Sequence, residues 1–66
     1  MKIILNNIKT EINNTTTLLE LVSIYQKETF GLAIAVNDVV IPKEKWSIFK
    51  IKNYDNVVLF QAIAGG

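Results

Sequence analysis

The spacing of apolar positions changes twice along this chain. Met1, Ile3 and Leu5 alternate with Lys2 and Ile4, and after Asn6-Asn7 a second run places Ile8, Thr10 and Ile12 on one side, Lys9 and Glu11 on the other. Asparagine tolerates the positive φ of a tight turn, so the pattern predicts a hairpin. From Thr17 the period becomes helical. Thr17-Leu18-Leu19-Glu20 has the spacing of a capping box, which predicts a helix beginning at Leu18. Leu18, Leu21, Val22 and Tyr25 follow as one stripe, with Glu20, Gln26, Lys27 and Glu28 at wet positions and Gly31 as the exit, about three turns in all. The period then returns to two. Leu32, Ile34 and Val36 alternate with Ala33 and Ala35, Asn37-Asp38 supplies turn residues before Val39, Val40 and Ile41, and Pro42 ends that strand because it cannot donate to a ladder. The stretch "KEKWSIFKIKNYDN" is irregular or carries a short helical turn, with Trp46, Ile48, Phe49 and Ile51 as satellite packing. Val57–Phe60 forms the last strand.

This order predicts an α+β fold in which one main helix crosses one face of a mixed sheet of about five strands. A single helix covers a single face. If Val57 and Leu59 point at it, Val58 and Phe60 must point away, because strand side chains alternate. Either Trp46 or a crossing loop covers Phe60, or the open face is a docking surface.

Composition narrows the classes. Sixty-six residues make one small domain, read as a globular unit over residues 1–61 and a flexible tail over 62–66, and its 50% hydrophobic content must stabilise it without cysteine. The opening "MKIILNN" has too short an apolar run for a signal peptide or a membrane span, so a cytoplasmic chain is expected. Seven lysines against six carboxylates give a net charge of +1, too little to draw the chain onto nucleic acid or lipid. Lys43, Lys45, Lys50 and Lys52 cluster near Trp46 and Phe49. They read as a solvated loop, a rim for an acidic protein partner or, third, a nucleic-acid contact.

Catalytic chemistry is scarce. With no histidine or cysteine there is no imidazole base, thiolate or His/Cys metal set, so no metal site and no stand-alone enzyme is expected. Asp38 and Asp55 read as solvated turn carboxylates, and three glycines cannot write a phosphate-binding loop. The remaining reactive group is the α-carboxylate of Gly66, ionised at neutral pH and competent to attack phosphorus if a partner supplies ATP. The chain itself needs no bound cofactor. Residues 62–66 could extend roughly 17 Å at ~3.3–3.6 Å each, enough to enter a partner's cleft. Gly65 and Gly66 suit a narrow channel, although a terminal pair also fits plain disorder. Ile63 is either an anchor for the arm or the last packing residue of the domain.

At these residues the chain resembles the small ubiquitin-like β-grasp sulfur carriers of thiamine biosynthesis, related in fold to the molybdopterin-synthase small subunit and to ubiquitin. The likeness covers nearly the whole chain. It is carried by "AIAVNDVVIPKEKW", by "VVLFQAIAGG", and by Asn37, Pro42, Trp46 and Asp55 together with the length. Asn53-Tyr54 replaces the family's usual Asp-Gly turn, and Ala64 stands where a third glycine is frequent. The resemblance implies that Gly66 is adenylated by a ubiquitin-activating-type enzyme and converted to a thiocarboxylate with sulfur from a cysteine desulfurase or another donor. That sulfur would go to thiazole synthase. The resemblance also implies tail recognition through Ile63, Ala64 and Gly65, and docking through Phe60 and Val58. Rival readings are a molybdopterin-synthase-like subunit, a ubiquitin-like modifier joined to lysines, and a non-catalytic interaction module.

Overall fold

Two consecutive asparagines make the first turn. Asn6 and Asn7 sit at φ 48° and 69°, the pair of positive values that matches a two-residue turn to the twist of its strands. They join β1 (Lys2–Leu5) to β2 (Ile8–Glu11), with Leu5 opposite Ile8 and Lys2 opposite Glu11. The fold comes from a computed structural model that describes residues 1–14, 16–25 and 30–61. On the second strand Thr10 and, just beyond it, Ile12 are half-buried, but Ile8 is exposed, because β2 is the sheet's edge.

The capping box forms as its spacing predicts. Glu20 N donates to Thr17 Oγ1 at 3.3 Å and Thr17 N donates to Glu20 Oε1 at 3.1 Å, opening α1 (Leu18–Tyr25). Two further first-turn amides are taken from outside the helix: Leu18 N donates to Phe49 O and Leu19 N to Trp46 O. The amides of Thr17, Leu18, Leu19 and Glu20, the four that a helix start leaves without intrahelical partners, are thus all satisfied, and Leu21 N on Thr17 O makes the first helical bond. Leu18, Leu21 and Val22 are buried, but Tyr25, the fourth member of the expected stripe, is half-exposed. It borders an open groove with Leu5, Ile8 and Leu59 instead of closing over the core. Gln26, Lys27 and Glu28 lie outside the described residues.

β3 (Leu32–Val36) follows Gly31 at φ 70° and turns through Asn37 and Asp38, at φ 50° and 71°, into the short β4 (Val39–Val40). β5 (Asn56–Gln61) then enters the middle of the sheet, parallel to β1 and antiparallel to β3, giving the order β2-β1-β5-β3-β4. The result is an α+β fold with a mixed five-stranded sheet and one helix on one face, the ubiquitin-like β-grasp arrangement. Its core joins Ile3, Leu5, Leu32, Ile34, Val36 and Val57 of the sheet to the buried helix residues.

The connection from Pro42 to Asp55 does more than its irregular sequence suggests. Its short 3-10 turn, Lys43–Lys45, delivers Trp46 into the core at 2% exposure, where the indole Nε1 donates to Ile41 O. Trp46 and Ile51 are therefore core residues rather than satellites. Ile48 does not pack; it is 69% exposed, because the turn that buries its neighbour Phe49 directs it outward. Asp55 also departs from expectation. It is buried rather than solvated, accepting from Asn37 Nδ2 at 3.0 Å and from Lys52 N at 2.8 Å, while Asn37 Oδ1 accepts from Asn56 N. This ties the β3–β4 turn to the start of β5. Asp38 is exposed, as expected.

At Asn53-Tyr54 the chain makes a turn in which Tyr54 takes the left-handed conformation that a glycine adopts freely. Tyr54 takes φ 67° with its ring 72% exposed, its N donates to Lys2 O, and Asn53 Oδ1 accepts from Lys2 N. A residue with a Cβ is held in the left-handed region at a cost of about 1–2 kcal/mol, which glycine avoids at the expense of greater freedom in the unfolded chain. Tyr54→Gly is therefore expected to stabilise the protein by roughly 0.5–1 kcal/mol, a Tm rise on the order of 4 °C in a domain of this size. Thermal unfolding checks it, and a lowered Tm rejects the strain.

Candidate functional site

β5 is the last described strand, so its two faces decide what surrounds Gln61, the residue before the expected arm. Val57 is fully buried on the helix side, and Leu59 is half-buried there against the core. Val58 and Phe60 point to the other face, where Val58 is half-buried and Phe60 is 44% exposed. The register supplies their neighbours: Ala33 lies opposite Phe60, Ala35 opposite Val58, and Val40 opposite Ala35. Ile4 shares this face, alternating with the buried Ile3 and Leu5. Because the β3 positions are alanines, Phe60 and Val58 stand above their surroundings. Trp46 does not cover them, since it is enclosed in the core.

Backbone pairing at the arm's root is completed by side chains. β1 pairs with β5 only through Ile4–Asn56 and Leu5–Val57. Beyond that point Asn6 Oδ1 accepts from Leu59 N at 2.8 Å, replacing the missing ladder bond. At the last strand position, opposite Leu32, Gln61 Nε2 donates to Phe30 O at 3.2 Å. Sequence reasoning found Asn6 as a turn residue but not this second role. Nothing in the spacing singled out Phe30. The expected arm residues Ile63, Ala64, Gly65 and Gly66 lie outside the described residues.

Other chemistry is sparse. Among the described residues no group of acidic, histidine or cysteine side chains could hold a metal ion, and no helix is long and apolar enough to cross a membrane. A shallow groove of about 280 Å³, lined by Leu5, Asn6, Ile8, Thr10, Tyr25 and Leu59, lies on the helix side. It holds no acid, base or nucleophile stronger than a hydroxyl.

The sequence model of the ThiS family matches residues 3–66. This chain belongs to the ThiS family. It is 32% identical to the sulfur carrier protein ThiS of Escherichia coli (strain K12), over 100% of both chains. The crystal structure of the thiamine biosynthesis protein ThiS from Geobacter metallireducens shares its fold, with a TM-score of 0.89 and full coverage of both chains at 19% identity. The β-grasp arrangement read from the strand order is thus the arrangement of a ThiS family structure.

The two faces of β5 predict opposite responses to substitution. Val57→Ala should cost roughly 1–3 kcal/mol by leaving a cavity in the core. Phe60→Glu, on the open face, should stay within about 0.5–1 kcal/mol of the parent. Urea denaturation distinguishes them, and equal losses would mean that Phe60 is covered after all.

Proposed function

We propose that this chain is a sulfur carrier of thiamine biosynthesis that works in the cytoplasm and is a co-substrate rather than an enzyme. The observation that carries the reading is membership of the ThiS family along residues 3–66, which include the whole "AIAGG" ending. The fold supports it by leaving an apolar face beside the strand that leads to the arm. The similarity to a sulfur carrier protein ThiS favours thiamine over molybdopterin assembly as the destination of the sulfur.

In this reading a Gly66 carboxylate oxygen attacks the α-phosphorus of ATP held by a ubiquitin-activating-type enzyme, and pyrophosphate leaves. The resulting acyl-adenylate is open at carbon. The outer sulfur of a persulfide carried by a cysteine desulfurase or another donor attacks that carbon and expels AMP. A thiol reductant, itself oxidised to a disulfide, then cleaves the resulting acyl disulfide to leave a thiocarboxylate, which thiazole synthase consumes. Ionisation makes the carboxylate a nucleophile toward phosphorus but a poor acceptor at its own carbon, so activation must come from outside the chain. Gly65 and Gly66 pass a narrow channel without Cβ atoms, and Ile63 and Ala64 give it side chains to recognise. Phe60 and Val58 dock the body, because short apolar anchors beside the arm fix where its end arrives.

Incubating the chain with the activating enzyme, ATP and a sulfur source should replace one oxygen of Gly66 by sulfur, read by intact mass and by fragmentation of the C-terminal peptide. Phe60→Glu should slow this reaction at low carrier concentration by roughly tenfold while leaving the fold intact. Deleting Gly66 should abolish it. Thiazole formation undiminished by the deletion would defeat the carrier reading and leave an interaction module.

A further inference from the structure

We propose that Phe30 is part of the surface gripped by the activating enzyme, so that partner contact wraps the root of the arm instead of resting on the open face alone. The inference rests on the carrier reading above and goes beyond it by assigning a residue outside β5. Phe30 is 81% exposed, the most exposed of the large hydrophobic side chains described. It sits immediately before Gly31 at φ 70°, and its carbonyl accepts from the Gln61 side chain. An aromatic ring is thus tethered to the residue from which the arm departs. No packing role within the described residues accounts for it, since it belongs neither to the core nor to the side chains packed against it.

Arm length supplies the partner. Residues 62–66 reach at most about 17 Å from Gln61 when extended. For Gly66 to meet a nucleotide inside a cleft, the rim of that cleft must therefore close on whatever surrounds Gln61. The residues placed there by observed contacts are Leu32 opposite Gln61, Ala33 opposite Phe60, and Phe30 on the Gln61 side chain. None of these three described residues carries a charge, so closing a rim on them desolvates no ion. Phe60 and Phe30 supply the two large exposed apolar side chains, one on the open face and one on the link into β3. Rigid aromatic rings next to a buried backbone are the groups that most often anchor a protein partner. The matching partner surface is an apolar rim at the mouth of the nucleotide cleft, with a pocket for a second ring.

The test is the activating enzyme's ATP–pyrophosphate exchange, measured against carrier concentration with the full chain. Phe30→Glu and Phe30→Ser are each expected to raise the apparent KM roughly tenfold with kcat little changed, the signature of lost docking, and to keep the parent's Tm. Ile48→Glu, at another well-exposed apolar side chain in the Trp46–Phe49 segment that caps the start of α1, is the control and should leave both constants unchanged. Phe60→Glu reports on the open face independently. If Phe60→Glu raises KM and the Phe30 variants match Ile48→Glu, the Phe30 assignment is overturned and the carrier reading stands. A fall in kcat at unchanged KM would also overturn it, because Phe30 would then act on the arm and not on docking. Absence of any exchange with the parent chain would be the failure of the carrier reading itself.

Discussion

A lone helix can shield only one face of a five-stranded sheet, and that limit governs the molecule. The chain answers it by concentrating burial on the helix side, where Ile3, Leu5, Ile34, Val36 and Val57 meet Leu18, Leu21 and Val22. The opposite face presents Ala33, Ala35, Ile4, Val40, Val58 and Phe60, with Lys2, Lys9 and Glu11 toward the β2 edge. A domain this small has too little chain for a second layer, because at this size only about 60% of the surface exposed by the unfolded chain is buried on folding. Exposure of Phe60 is thus a consequence of size, and in the carrier reading the same exposure gives a partner something apolar to hold.

The long connection between β4 and β5 is what closes the helix side. Its backbone carbonyls at Trp46 and Phe49 satisfy the first amides of α1, its indole fills the core, and its last carboxylate, Asp55, locks the β3–β4 turn to the point where β5 begins. A parallel strand cannot follow its neighbour through a tight turn, so β5 must enter the sheet from a distant segment. The connection carries that entry and secures it at both ends. Its bonds to α1, to Lys2 and to the β3–β4 turn are long-range, and between them they fix its course across the helix side.

Proposed chemistry and observed architecture divide cleanly. The body supplies a rigid strand whose end is fixed by Asn6 on one side and Phe30 on the other. Reactivity, in the carrier reading, belongs to the arm. In that reading one activated end could serve more than one enzyme, since the partners would bring their own catalytic groups and need only recognise the root and the glycines.

Local pattern was enough to read the hairpin, the capping box, the β3 alternation and both asparagine turns, because each depends on residues within a few positions of one another. Alternation also put Val58 and Phe60 on the face away from the helix. The chain by itself could not decide whether Trp46 covered Phe60, that Asp55 would be buried, or that Ile48 would face outward. Those outcomes depend on where the connection crosses the helix start, which no periodicity encodes. Tyr54 in a glycine's conformation is a similar case: the partners that hold it, Lys2 and its backbone, lie at the far end of the sequence. Phe30 had no signal at all, since an exposed ring beside a glycine acquires meaning only when β5 brings Gln61 against it. The sequence determined which elements form and which side chains each presents; the tertiary structure decided which of those are covered, because burial is set by contacts between segments that the chain brings together only on folding.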